Sequence, residues 1–415
     1  MTVEMKKYRL ADIAEIVISS VDKKTKPGEK IVRLCNFTDV YHNWAIKQSD
    51  YDSFMVASAS DSNINKLSLK KGFVAFTKDS ETRDDIGIST YIADDFDDVV
   101  LGYHCALAKP NEKIVYGKYL NAFMSSDYIK KYFELNATGS GMRFTLAVST
   151  MEDMPIMLPS LNVQKKIGDM LSDFDKRIEN LRAQNRVLEQ TAKTIYDYTF
   201  LQCAGHQTTY NKTLNRNIPT NWEVKKLSDV ADILSGGTPK TARQDFWDGD
   251  IPWLSVKDFN IESTYVLNSE RKITKLGLDN CSATLLEEND IVMSARGTVG
   301  VMTMVPYAMT FNQSCFGFHA KNISSNSPYF LYYTLKTTIN ELVAGSHGSV
   351  FNTISRDDLG RVNVVFPDSQ SLDKFNVQVK PIFKKQLINT KQIETLTTQR
   401  NTLLPLLMTG QVKVA

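Results

Sequence analysis

The longest pattern in the chain is a seam of residues spaced alternately four and three apart: Ile167, Leu171, Phe174, Ile178, Leu181, Asn185, Leu188, Ala192, Ile195 and Thr199. A repeat averaging 3.5 residues keeps one stripe of a helix against a partner helix and is narrower than the face a helix lays on a globular core. Charged residues of both signs, from Lys165 and Lys166 to Arg186 and Glu189, surround the seam. No proline and no glycine after Gly168 interrupts it. The spacing predicts one helix about 50 Å long, at about 1.5 Å per residue.

A seam needs a partner, and shifting the register by 208 residues supplies one: Phe375, Val379, Ile382, Gln386, Asn389, Ile393, Leu396, Arg400, Leu403 and Leu407. Three polar residues make this seam poorer, and Pro381 is expected in the first turn of its helix or at a kink. Asn185 either pairs with a polar residue opposite and sets the register, or is a polar residue the interface tolerates. Similar lead-ins precede the two helices, MPIMLP at 154–159 and RVNVVFP at 361–367.

The matching extends into the segments between the helices. LADIAEI at 10–16 returns as LSDVADI at 227–233, and IVRLCNFTDV at 31–40 is echoed by IPWLSVKDF at 251–259. KGFVAFT at 71–77 parallels NDIVMSA at 289–295, and IGISTY at 86–91 parallels VGVMTM at 299–304. An aromatic helix is expected over 116–133 and another over 328–342, their rings more in keeping with a core than with stacking platforms. Each is followed by a Gly/Ser loop, TGSGM at 138–142 and GSHGS at 345–349.

A period this long is a duplication, not a solenoid. The expected order is a globular domain at 1–159, a long helical spacer at 160–205, a second globular domain at 206–367 and a second helical spacer at 368–415. Short apolar runs mixed with one or two helices make each globular part α+β, around a mostly antiparallel sheet. The termini of a domain usually lie close together. The second helix is therefore expected to run back along the first as an intramolecular antiparallel coiled coil. The two similar domains would then be held apart with pseudo-twofold symmetry, over a distance of about 15 base-pair steps at roughly 3.4 Å each.

Composition narrows the function. The formal net charge is +2, and the globular segments are slightly acidic: 20 Lys+Arg against 22 Asp+Glu over 1–159, and 15 against 16 over 206–367. Nucleic acid held by bulk charge is excluded, so any DNA contact must come from local patches or from a partner. Five scattered cysteines fit free thiols in a reducing cytoplasm better than disulfides or zinc. No apolar run reaches membrane-span length, and the N-terminus has no signal-peptide core. GGTPKT at 236–241 lacks phosphate-loop spacing, and there is no GxSxG, no HExxH and no Pro-Pro pair of the kind amino-methyltransferases carry. The acidic runs Asp84-Asp85 and 94–98 read as solvated surface.

The second half then resembles a known family. LSGGTPK at 234–240, Trp247, Gly249, IPWL at 251–254, DIVMSARGTVG at 290–300, Asn312-Gln313-Ser314 and Gly345-Ser346 look like successive signatures of the specificity (S) subunit of type I restriction-modification systems. The likeness covers the whole chain. The first half departs from it, lacking the Gly-Gly-Thr-Pro segment and carrying residues 77–87 in place of the Ala-Arg-Gly loop.

The resemblance implies a non-catalytic subunit with two target recognition domains, each reading one half of a bipartite, asymmetric site on double-stranded DNA. It implies no cofactor on this chain. S-adenosylmethionine, ATP and Mg would belong to two modification subunits, which methylate adenine N6, and to two restriction subunits. A coiled-coil scaffold that binds proteins without reading DNA is the alternative.

Readout needs polar side chains at base edges and cations at phosphates. In the second domain these would be Thr238, Lys240, Thr241, Arg243, Lys257, Arg296, Ser346, His347 and Ser349. The first domain offers Lys23, Lys24, Lys26, Arg33, Asn36, Lys78, Arg83, Ser140 and Arg143. Gly236, Gly237 and Pro239 suggest a loop able to approach a backbone closely.

Overall fold

The computed structural model describes residues 4–141, 143–259, 262–297, 299–321, 327–345 and 353–414. The chain divides into two units, Met1–Arg177 with Leu396–Ala415, and Ile178–Thr395.

In the first unit, strand Lys6–Arg9 pairs antiparallel with Pro155–Leu158. It turns into the single helical turn Leu10–Ile13, where Asp12 accepts from the Arg9 backbone at 3.0 Å. The chain then enters a five-stranded sheet ordered Ala14–Ile18, Cys105–Pro110, Val74–Thr77, Ser89–Ile92, Ala45–Ile46. Val74–Thr77 and Ser89–Ile92 are buried throughout, so alternation is lost in both; an apolar run marks the first as a strand, whereas the second buries Ser89 and Thr90 as well. A second sheet is ordered Met55–Ala59, Lys30–Cys35, Val99–Leu101, its last pair parallel.

The second unit repeats this plan. Its strand Glu223–Lys226 pairs with Asn363–Phe366 and leads into the helical turn Leu227–Val230. Its main sheet is ordered Ala231–Ser235, Cys315–Ala320, Ile291–Ser294, Met302–Met304. Its second sheet is Arg271–Ile273, Trp247–Leu254, Thr310–Phe311, again with the last pair parallel. Thr77 faces Cys105 as Ser294 faces Cys315. The Thr77 hydroxyl accepts from Ile88 N at 3.1 Å, as the Ser294 hydroxyl accepts from Val301 N at 3.0 Å. This register moves the sequence match by one: Thr77 corresponds to Ser294, not Ala295, and Asp79 to Arg296.

The aromatic helix expected over 116–133 is two helices, Gly117–Met124 and Asp127–Asn136. Ser125 and Ser126 part them by donating their hydroxyls to Asn121 O (2.9 Å) and Phe123 O (2.6 Å), an alternative to continuing the ladder. Tyr119, Phe123 and Phe133 are core. Its counterpart, Pro328–Gly345, is unbroken, and Tyr332 and Tyr333 are likewise buried.

The long helices span Leu161–Tyr196 and Ser369–Met408. Pro381 is not in a first turn but at the thirteenth position of the second helix, which runs through it. Of the expected seam, Ile167, Leu171, Ile178, Phe375 and Val379 are buried; Phe174, Leu181, Leu188, Ile195, Ile382, Ile393, Leu396 and Leu403 are half-buried. In the first unit Ile167 and Leu171 share a core with Leu404, Leu407 and Met408, and Arg400 Nε meets Asp175 Oδ1 at 2.7 Å. In the second unit Asn389 donates to Asn185 Oδ1 at 3.0 Å, and Gln386 donates to Glu189 at 3.3 Å. Within the second unit, Asn185 and Glu189 thus meet Asn389 and Gln386 in opposite order, so the two helix segments there pass antiparallel.

Glu189 also accepts from Lys336 at 2.8 Å, Tyr333 at 3.1 Å and Thr264 at 3.2 Å, which ties the first long helix to the α+β part of the second unit. No helix among the described residues is long and apolar enough to cross a membrane. Among them, no group of three or more His, Cys, Asp or Glu could hold a metal ion.

Candidate nucleic-acid interface

In the second unit the candidate surface is assembled from three loops. The Thr238 hydroxyl donates to Gln313 Oε1, and Ala295 N donates to Ser314 O at 2.8 Å. Segments 237–240, 312–314 and 295–296 therefore stand together beyond one end of the main sheet. The glycines serve this assembly: a Cβ on Gly236 would lie 2.0 Å from Asn312 O, and one on Gly237 2.4 Å from Ala283 N. The close approach they permit is to the protein's own backbone. Two indoles pin the loop, Trp253 Nε1 donating to Gly237 O at 2.8 Å and Trp247 Nε1 to Lys240 O at 3.4 Å.

On this surface Lys240, Thr241 and Arg296 are exposed, and Thr238 is half-buried. Arg296 pairs with Thr353 in an isolated bridge. Arg243 is exposed but engaged: its Nε and Nη2 meet Asp245 at 2.8 and 2.6 Å, and it lies 4.7 Å over the Phe246 ring. The hydrogen bond to Asp245 raises the Arg243 pKa, and the same bond lowers that of Asp245. Lys257 is exposed on the turn Val256–Asp258. Ser346, His347 and Ser349 lie outside the described residues.

In the first unit, Lys78 and Arg143 come together around Asp79. Lys78 Nζ, His104 Nδ1 and Arg143 Nη2 reach Asp79 Oδ2 at 3.0, 2.6 and 3.3 Å. Burial alone would raise the Asp79 carboxyl, but hydrogen bonds from Thr145, His104 and Lys78 outweigh it and hold the pKa at about 2. The group stands at the rim of a cleft of about 530 Å³, lined also by Phe37, Tyr41 and Asp85. Arg83 is exposed and lies 5.0 Å over the Phe144 ring. Ser140 ends the strand Thr138–Ser140, which pairs with Arg143–Thr145.

The remaining residues are not part of this cluster. Lys23 and Lys24 are exposed on the loop before Lys30–Cys35, and Lys26 pairs there with Asp22 at 3.2 Å. Arg33 donates to Phe54 O at 3.0 Å and covers Tyr51 at 5.1 Å. Asn36 is buried at the start of helix Phe37–His42, donating to Leu34 O at 3.4 Å. Both direct donors into their own domain. His104 and Arg271 stand in or beside the two clusters without having been marked by the sequence, and Gln313 was marked only as part of the Asn312-Gln313-Ser314 signature, with no contact assigned to it. Only the fold, which sets His104 beside Asp79 and Gln313 beside Thr238, reveals them.

The chain thus carries two copies of one α+β head, each presenting polar loops beyond its main sheet. Residues 2–190 and 219–400 both match the type I restriction modification DNA specificity domain, and the chain belongs to that family. It is 28% identical over 311 residues to the type I restriction enzyme MjaIX specificity subunit of Methanocaldococcus jannaschii, covering 74% of this chain and 71% of that protein. It is 22% identical to the HindI specificity subunit of Haemophilus influenzae, covering 99% of this chain and 100% of that one. The crystal structure of a type I restriction-modification S subunit from M. genitalium shares the fold, with a TM-score of 0.58, 15% identity, and coverage of 98% of this chain and 96% of that one.

Proposed function

We propose that this chain is the sequence-reading subunit of a type I restriction-modification complex, with one half of a bipartite, asymmetric DNA site read by each head. The heads are residues 1–159 and 206–367. The helices at 160–205 and 368–415 form an intramolecular antiparallel coiled coil that relates the heads by a pseudo-twofold axis and sets the unspecified spacer. The chain is non-catalytic and cytoplasmic. It holds no cofactor; two modification subunits bring S-adenosylmethionine to methylate adenine N6, and two restriction subunits bring ATP and Mg.

The observation that carries this reading is one strand order used twice with different side chains at equivalent loop positions. Asp79, with Lys78, His104 and Arg143 around it, occupies the place that exposed Arg296 holds in the other copy. Equal scaffolds with unequal reading surfaces are what two different half-sites require. Exchange of residues 1–159 for the matching domain of a relative is expected to change one half of the methylated motif and leave the other. Methylome sequencing that finds both halves altered would refute the modular reading.

A further inference from the structure

The two indoles that pin the 237–240 loop also carry an arginine. Arg271 sits directly opposite Trp253 across the antiparallel pair of strands. An irregularity between Trp247 and Ile251, with Asp248 at φ 60°, brings Trp247 to the same patch. The Arg271 guanidinium carbon lies 3.5 Å from the Trp247 ring centre and 5.6 Å from that of Trp253. The indoles are buried and meet edge to face at 86°, with ring centres 5.3 Å apart. Arg271 itself is exposed.

Neighbouring Arg243 has its fork closed by Asp245. By contrast, no carboxylate among the described residues pairs with Arg271. Its plane is held by aromatic faces while its N–H edge stays open, the state in which an arginine best grips two acceptors at once.

We propose that Arg271 is a DNA-contacting residue of the second head, presenting its fork to two acceptors on the duplex: two oxygens of one phosphate, or O6 and N7 of a guanine. The assignment rests on the DNA-reading function proposed above. The loop bearing Thr238 and Lys240 hangs from the same indoles, so Arg271 and that loop meet the duplex as one rigid patch.

The test uses the assembled methyltransferase complex, its own methylated motif, and variants of that motif changed in the second half. Binding is measured across a salt series for wild type, Arg271→Ala, Arg271→Lys and Arg271→Met, with thermal melting alongside. Arg271→Ala is expected to weaken binding about tenfold or more. A phosphate contact shows as an equal loss on every sequence, a log–log salt slope smaller by about one, and partial rescue by lysine. A guanine contact shows as a loss confined to motifs with that guanine, which lysine does not fully restore.

Wild-type affinity and slope in Arg271→Ala would overturn the assignment. So would full recovery in Arg271→Met, which keeps the indoles covered without charge and would mark the arginine as a lid on the Phe246, Trp247, Trp253 and Ile273 cluster. A wild-type complex without sequence-dependent binding overturns the functional reading and this residue's role together, whereas failure of Arg271 alone leaves that reading standing.

Discussion

Asn389 donates to Asn185 Oδ1 at 3.0 Å, both side chains being buried where two long helices meet. Asn185 donates in turn to Thr390 at 3.3 Å. A buried amide deprived of its partner costs about 1–3 kcal/mol, so Asn389→Leu or Asn185→Leu alone is expected to lower the denaturation midpoint. The double change to Leu removes both polar groups and should recover most of that loss. Singles that melt like wild type would show that the pair contributes nothing. Asn185 was legible in the sequence because it breaks an otherwise apolar seam. The partners of Arg33 and Asn36 were not legible for the opposite reason: residue type was visible, but the acceptors Phe54 O and Leu34 O were not. Arg271 escaped notice because its aromatic bed forms only through strand pairing with a local irregularity.

Among the elements, the two helices and the repeated strands were written in periodicity, whereas their ends and breaks were set by single contacts. Serine hydroxyls split 117–136 into two helices, while a proline fails to end the second long helix. Pro381 has no N–H to give Val377 O one turn earlier, and its ring crowds that carbonyl. Pro381 is exposed and Val377 is 77% exposed, so water can reach the orphaned carbonyl. Interior proline still costs about 3 kcal/mol relative to alanine. Pro381→Ala is therefore expected to raise the urea midpoint, by up to about 3 kcal/mol in stability, with DNA binding unchanged. A lowered midpoint would mean that the packing of Val379 and Phe383 depends on the distortion a proline imposes. The one-residue shift that aligns Asp79 with Arg296 has a similar origin, because register is fixed by ladder hydrogen bonds that composition does not record.

At the scale of the whole chain, both long helices run across the division between the units, which falls after Arg177 in the first and after Thr395 in the second. If the helices set the spacer, as proposed, their length is a quantity that an insertion can change. Four residues added to each helix, near Asn185 in the first and opposite it in the second, add about 6 Å at about 1.5 Å per residue. That is close to two base-pair steps at about 3.4 Å. Four residues also complete roughly one turn, so the seam re-enters nearly in phase as a stutter and the interface survives. Two residues in each helix rotate its remaining turns by about 200° and swing the seam away from its partner, which should abolish assembly. Methylome sequencing of the four-residue variant is expected to return the same two half-sites with about two more unspecified bases between them. An unaltered spacer, with both half-sites still methylated, would show that something other than helix length measures the distance along the DNA.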